Sequence, residues 1–228
     1  SADGDYVRTN ENLDFMKSHH FVIGYDRNLG TDWRLKTEAY YQSLFNLPVE
    51  SSSSSYSIIN EGADFTYRER PYLISKGTGT NYGLELTLEK FFSNNYYMLF
   101  TTSVFESTYK GSDGISRSTA FNNNYVLNVL MGKEWTFGKG GQNAWTFDTK
   151  FTTSGGKPYT PVDLASTRAN GGREVRFEEV AYSETYEDYI RWDVKFGVRL
   201  NSTKKSVSHQ FFVDLQNVTN RKNEFVRR

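Results

Sequence analysis

Three histidines, His19, His20 and His209, are the only imidazoles in a chain of 228 residues that has no cysteine. Thiolate catalysis, disulfides and cysteine-based metal sites are excluded together. Chelation by His19 and His20 would need both rings on one side, but adjacent strand residues point to opposite faces. His209 stands far from both, and no local pattern sets a serine against a histidine, so neither catalytic nor metal-binding residues are assigned. Glu174, Glu178, Glu179, Glu184, Glu187 and Asp188 crowd one stretch. Their spacing does not follow a calcium-binding EF-hand loop, and they read as a solvated segment. The expectation is a non-enzyme without a cofactor. With 27 basic and 27 acidic side chains the net charge is zero, which argues against nucleic acid as a partner.

The elements that would carry any site are strands. Ile190, Trp192, Val194, Phe196, Val198 and Leu200 alternate without a break against Arg191, Asp193, Lys195, Gly197 and Arg199, a period of two. Leu84, Leu86 and Leu88 alternate in the same way with charged or hydroxyl residues, as do Trp145, Phe147 and Phe151. Further strands are expected around Phe21 to Tyr25, Trp33 to Ala39, Tyr96 to Val104, Tyr125 to Trp135 and Phe211 to Leu215, about eight in all. Aromatics make up 16% of the chain against 37% hydrophobic residues, a balance suited to strands with one apolar face.

The connections alternate in length. Short ones are expected at 28–32, 92–95, 138–142 and 202–208, and long ones at 46–80, 110–123 and 154–188. Tight turns at one rim and long loops at the other describe an up-and-down transmembrane β-barrel. In that reading Ile190, Trp192, Val194, Phe196, Val198 and Leu200 face lipid. Arg191, Asp193, Lys195 and Arg199 face the lumen, because a charge at the bilayer midplane costs about 2–4 kcal/mol for Arg or Lys. Phe91, Phe92, Tyr96, Tyr97, Trp135, Phe137 and Trp145 cluster at strand ends as an aromatic girdle would. Tyr109, Asn122, Asn123, Asn124, Tyr159 and Tyr182, in or beside the long loops, are the expected ligand contacts, through ring stacking and amide hydrogen bonds.

Four segments carry a resemblance: Asn81-Tyr-Gly-Leu-Glu-Leu-Thr-Leu-Glu-Lys90, Tyr109-Lys-Gly-Ser-Asp-Gly114, Gly155-Gly-Lys-Pro-Tyr-Thr-Pro161 and Asp214-Leu-Gln-Asn-Val-Thr-Asn220. In this order they resemble the C-terminal barrel region of Bacteroidetes-type TonB-dependent outer-membrane receptors. The resemblance implies a barrel of about 22 strands closed by a plug, set in outer-membrane lipid and energised through TonB. It implies uptake of a large nutrient such as a siderophore, glycan or peptide. The plug and the TonB-contacting segment are not recognised here, nor is the terminal aromatic of such barrels, since the sequence ends Phe225-Val-Arg-Arg228. The chain is therefore expected to be one part of the barrel, undivided over residues 1–228. In a bacterial protein the glycosylation patterns at Asn201 and Asn217 would be accidental. Two other readings of the same strands are a complete eight-stranded structural barrel and a soluble β-sandwich binding module.

Overall fold

A computed structural model describes residues 8–63, 69–202, 204 and 206–224; the C-terminal Phe225 to Arg228 and Thr203 of the Asn201 pattern lie outside the described residues. The protein is all-β, with 59% strand and 7% helix. Eight long strands form an antiparallel up-and-down sheet. They are β1 (Lys17–Leu29), β2 (Trp33–Glu50), β3 (Leu73–Ser93), β4 (Tyr96–Lys110), β6 (Tyr125–Phe137), β7 (Asn143–Ser154), β10 (Tyr189–Asn201) and β11 (Ser208–Leu215). Three short strands lie among the long connections. β5 (Ser116–Ser118) joins β4, and β8 (Pro158–Tyr159) pairs with β9 (Glu184–Thr185). One short helix, α1 (Leu164–Ala169), starts where the Asp163 carboxylate accepts from the Ser166 amide at 3.0 Å.

The alternation read from the sequence becomes two sheet faces through the strand register. Leu35, Leu88, Phe100, Val129, Phe151 and Trp192 pair in one unbroken row across six strands. One residue away along each strand, Asp26, Lys36, Thr87, Thr101, Asn128, Thr152 and Arg191 pair in a row across seven strands. Neighbouring strand residues point to opposite faces, so the first row lies on an apolar face and the second on a polar one. No other sheet or helix packs over the apolar face among the described residues, and many of its large side chains are exposed.

The turns follow the expected alternation. At one end β3 and β4 are joined through Asn94 and Asn95, both with positive φ (51° and 61°), the backbone of a tight hairpin turn with the right twist for its strands. Long connections at the other end carry the loop layer. The loop expected at 46–80 is shorter than the sequence suggests, because β2 runs on to Glu50 and β3 begins at Leu73. A register shift near Leu44 and Leu47, with Asn46 at φ 58°, lets the two strands pair again beyond it. Pro48, Gly77 and Gly79 look like loop residues in sequence. Gly77 is needed because a Cβ there would meet the Val49 side chain at 2.5 Å and the Leu47 carbonyl at 2.9 Å.

Gly132 has a similar role on the polar face of β6. The Tyr97 ring crosses it from β4 and donates from its hydroxyl to Asp148 on β7 at 2.8 Å. A Cβ on Gly132 would lie 2.1 Å from that ring. Gly132→Val is expected to lift Tyr97 off the sheet and break its bond to Asp148, at a cost of about 1–3 kcal/mol for the overpacking. Denaturant unfolding of wild type and variant measures this; equal stability would contradict the contact.

Candidate functional site: two sheet faces and a loop layer

The apolar face keeps its charged side chains toward the strand ends, among them Arg27, the register partner of Leu35, two residues before the end of β1. On β10 the side chains of Ile190, Trp192, Val194, Phe196, Val198 and Leu200 share it with Trp145, Phe147 and Phe151 of β7 and Phe211, Val213 and Leu215 of β11. Its lysines beside the tight turns direct their amines to the strand ends. Lys90 donates to the Ser93 hydroxyl at 2.6 Å and lies over the Tyr96 ring at 3.8 Å, while Lys133 reaches the Asn94 carbonyl at 3.5 Å. Near the turn end this face carries Trp33, Tyr96, Trp135, Phe137 and Trp145; toward the loop end it carries Phe21, Tyr41, Tyr82 and Tyr125. Tyr97 departs from the expected girdle, since it stands on the opposite face from Tyr96 and covers Gly132.

The polar face neutralises its own charge. Arg34 forms a two-pronged bond to Asp26 at 2.5 and 2.9 Å, and Arg199 to Glu134 at 2.7 and 2.9 Å. Arg191 bonds Asp193 at 2.8 Å, and Lys195 sits 4.1 Å from the Phe212 ring, with Asp148 as its register partner. Arg191, Asp193, Lys195 and Arg199 thus share one face, opposite Ile190 to Leu200. Asn81 accepts from Ser107 at 2.6 Å and donates to Gln42 at 2.8 Å, which ties β2, β3 and β4 across this surface.

The loop layer contains the small buried core of the molecule. Tyr109, Val49, Asn122, Thr119 and Ser57 are its largest fully buried side chains. Asn122 is held at both ends: its carbonyl accepts from the Ser107 amide at 2.9 Å, and its nitrogen donates to Glu106 at 2.8 Å and Ser118 at 3.1 Å. Tyr109 packs edge-on to Tyr182 at 6.1 Å. These two expected ligand contacts, Tyr109 at 1% and Asn122 at 2% exposure, are therefore framework of the layer and not part of its surface. Asn124 is exposed and donates to Glu106 at 2.9 Å, Asn123 is half-buried, and half-buried Tyr159 stacks on Tyr186 at 4.4 Å. The six candidates do not converge on one pocket.

A feature that sequence patterning missed is the ion pair of Arg117 with Asp113 at 2.7 Å, side chains 5% and 14% exposed. Arg117 also donates to the Glu179 carbonyl at 3.1 Å, and Ser55 donates to Glu178 at 3.0 Å, so three separate long connections meet here. The acidic stretch is largely used in such contacts: Glu174 pairs Arg176, Glu187 pairs Arg221, and Asp188 accepts from Tyr125. No cluster of three His, Asp or Glu side chains has metal-binding geometry among the described residues. His19 and His20 face opposite ways, beside Phe45 and Tyr40 respectively.

The class defined by these features is an antiparallel up-and-down sheet of eight long strands with one uncovered apolar face. Comparison with models of known protein families, with curated proteins and with solved structures gives no match.

The hydrogen bonds and charge of Arg117 hold the Asp113 carboxyl below the usual carboxylate range. The pair's contribution is complete above the unfolded value of about 3.9 and is lost as pH falls through the lower folded value. Protease protection of residues 51–63 and 155–188 should therefore hold from neutral pH to about 4 and fail below it. Asp113→Ala strands a buried guanidinium, and should remove that protection at neutral pH with a loss of about 3 kcal/mol in local stability. Protection unchanged by the substitution would refute the pair's role.

Proposed function

We propose that this chain is part of the wall of an outer-membrane β-barrel, with the apolar face of the sheet in lipid and the polar face toward the lumen. The observation that carries the reading is the register itself. An apolar row runs from Leu35 to Trp192 and a polar row from Asp26 to Arg191 on the opposite face, with nothing among the described residues packed over the first. A soluble sandwich needs a second sheet about 10 Å from the first, and the described residues supply only the two-residue strands β8 and β9 outside the main sheet. The uncharged part of the apolar face spans 9 residues on β4, from Tyr96 to Val104, and 11 on β10, from Ile190 to Leu200. A tilted strand needs about 9–11 residues to cross a bilayer.

β1 and β11 are edge strands, exposed along their whole length, with Phe21, Ile23, Phe211 and Val213 among their side chains. Within hydrocarbon every backbone N–H and C=O needs a partner, so in this reading both edges pair with strands of the same barrel. The four segments that resemble Bacteroidetes-type TonB-dependent receptors extend the proposal. The barrel belongs to a receptor that takes up a large nutrient, a siderophore, glycan or peptide, with a plug in the lumen and energy delivered through TonB. Tyr97, Asn81, Arg191 and Arg199 then line the lumen, and the loop layer lies at the extracellular rim where ligand arrives.

Phe196→Arg and Val198→Arg, made singly in the whole outer-membrane protein, are expected to reduce assembly by more than ten-fold, given about 2–4 kcal/mol for a lipid-facing Arg. Lys195→Ala, between them but on the polar face, should assemble normally. Heat-modifiable gel migration of outer-membrane fractions reads both. Normal assembly of the two arginine variants would refute the proposal.

A further inference from the structure

The apolar face is not even. Near the tight-turn end, at the β6, β7, β10 and β11 strands, it opens into a shallow groove of 490 Å³. Trp135, Trp145, Val198 and Phe211 form one register row across these four strands, and the tilted rings of Phe147 and Phe196, 4.9 Å apart, stand beside it. Phe137 stacks on Trp145 at 5.6 Å toward the turn. The row lies within a few residues of two hairpin turns, 138–142 and 202–207. Neither turn contains an Asp or Glu, and each presents an exposed lysine, Lys139 and Lys204; a further lysine of the second turn, Lys205, lies outside the described residues. The nearby carboxylate of Glu134 points to the other face, where Arg199 occupies it at 2.7 Å. An aromatic-walled apolar groove thus lies on strands that run into two turns, each carrying lysine and no acid. These are the two halves of an amphiphile with a hydrocarbon chain and an anionic head.

We propose that this groove is a binding site for an anionic glycerophospholipid of the leaflet at the tight-turn rim, its acyl chain against Trp135, Trp145 and Phe196 and its phosphate at Lys139 and Lys204. The inference rests on the placement of the apolar face in lipid. Charge complementarity selects the occupant. A zwitterionic lipid fills the groove equally well but gains nothing from the lysines, and a protein segment would not need them at the head-group level.

Trp135 and Trp145 report the site directly once Trp33 and Trp192, the other tryptophans of this chain, and any tryptophan elsewhere in the whole protein are replaced by Phe. The whole protein carrying W33F and W192F is reconstituted in phosphatidylcholine bilayers, and tryptophan quenching is followed as dibrominated phosphatidylglycerol or dibrominated phosphatidylcholine is added at low mole fraction. The anionic lipid should quench at a mole fraction lower by on the order of ten-fold, from the attraction of two lysines to its head group. The preference should vanish when Lys139→Ala is combined with Lys204→Ala and Lys205→Ala, and shrink in high salt. Equal quenching by both lipids overturns the site while leaving the face in lipid. Quenching by neither overturns the membrane placement and the site with it.

Discussion

A sheet hydrogen-bonds its own backbone internally but leaves two faces to be solvated, and the composition of those faces decides where it can exist. Here one face is a field of Leu, Val, Phe and Trp across eight strands, and no second layer covers it among the described residues. In water a face of this extent would be a strong drive to associate. In hydrocarbon it costs nothing, and the remaining requirement is that charge be kept off it. The sequence does this by a period of two that confines Arg27, Lys90 and Lys133 to the tight-turn side of the face, and a register slip of one residue would invert any strand.

The opposite face shows what the same constraint does to polar groups. Arg34 with Asp26, Arg191 with Asp193, and Arg199 with Glu134 join acid and base within or across strands, so the face is studded with charge yet nearly balanced. Surface pairs of this kind add little to stability individually. Their consequence is a polar face with fixed hydrogen-bonding groups. Tyr97 over Gly132 and the Gln42, Asn81, Ser107 chain brace that face sideways. Past the strand ends the loop layer builds its own core around Tyr109, Val49 and Asn122, so the long connections hold one arrangement against each other.

Much of this was legible in the sequence because the governing signal is local. Alternation at Ile190 to Leu200 assigns faces without knowledge of any partner strand, and the short and long connections appear as differences in Gly, Asn and Ser density. What stayed hidden depends on distant residues. Pro48 and Gly77 read as loop because their composition is that of breakers, yet Gly77 is present to let β2 and β3 approach. Tyr96 and Tyr97 look alike in sequence but face opposite ways, and only the register separates them. Tyr109 and Asn122 were legible as polar loop residues but not as buried ones, since burial there comes from the meeting of three connections. The pairing of Asp113 with Arg117 at i and i+4 had no helical context to suggest it.

The central claim is that the even-numbered face of β10 meets hydrocarbon and the odd-numbered face meets water. This chain has no cysteine, so, with any cysteine elsewhere in the whole protein replaced, single cysteines at positions 190 to 200 can be spin-labelled one at a time in bilayers. Collision rates with oxygen and with a water-soluble nickel chelate are then measured at each site. Oxygen access should peak at 192, 194, 196 and 198 and nickel access at 191, 193, 195 and 199, a clean period of two. High nickel access at 194, 196 and 198 would place that face in water and contradict the account.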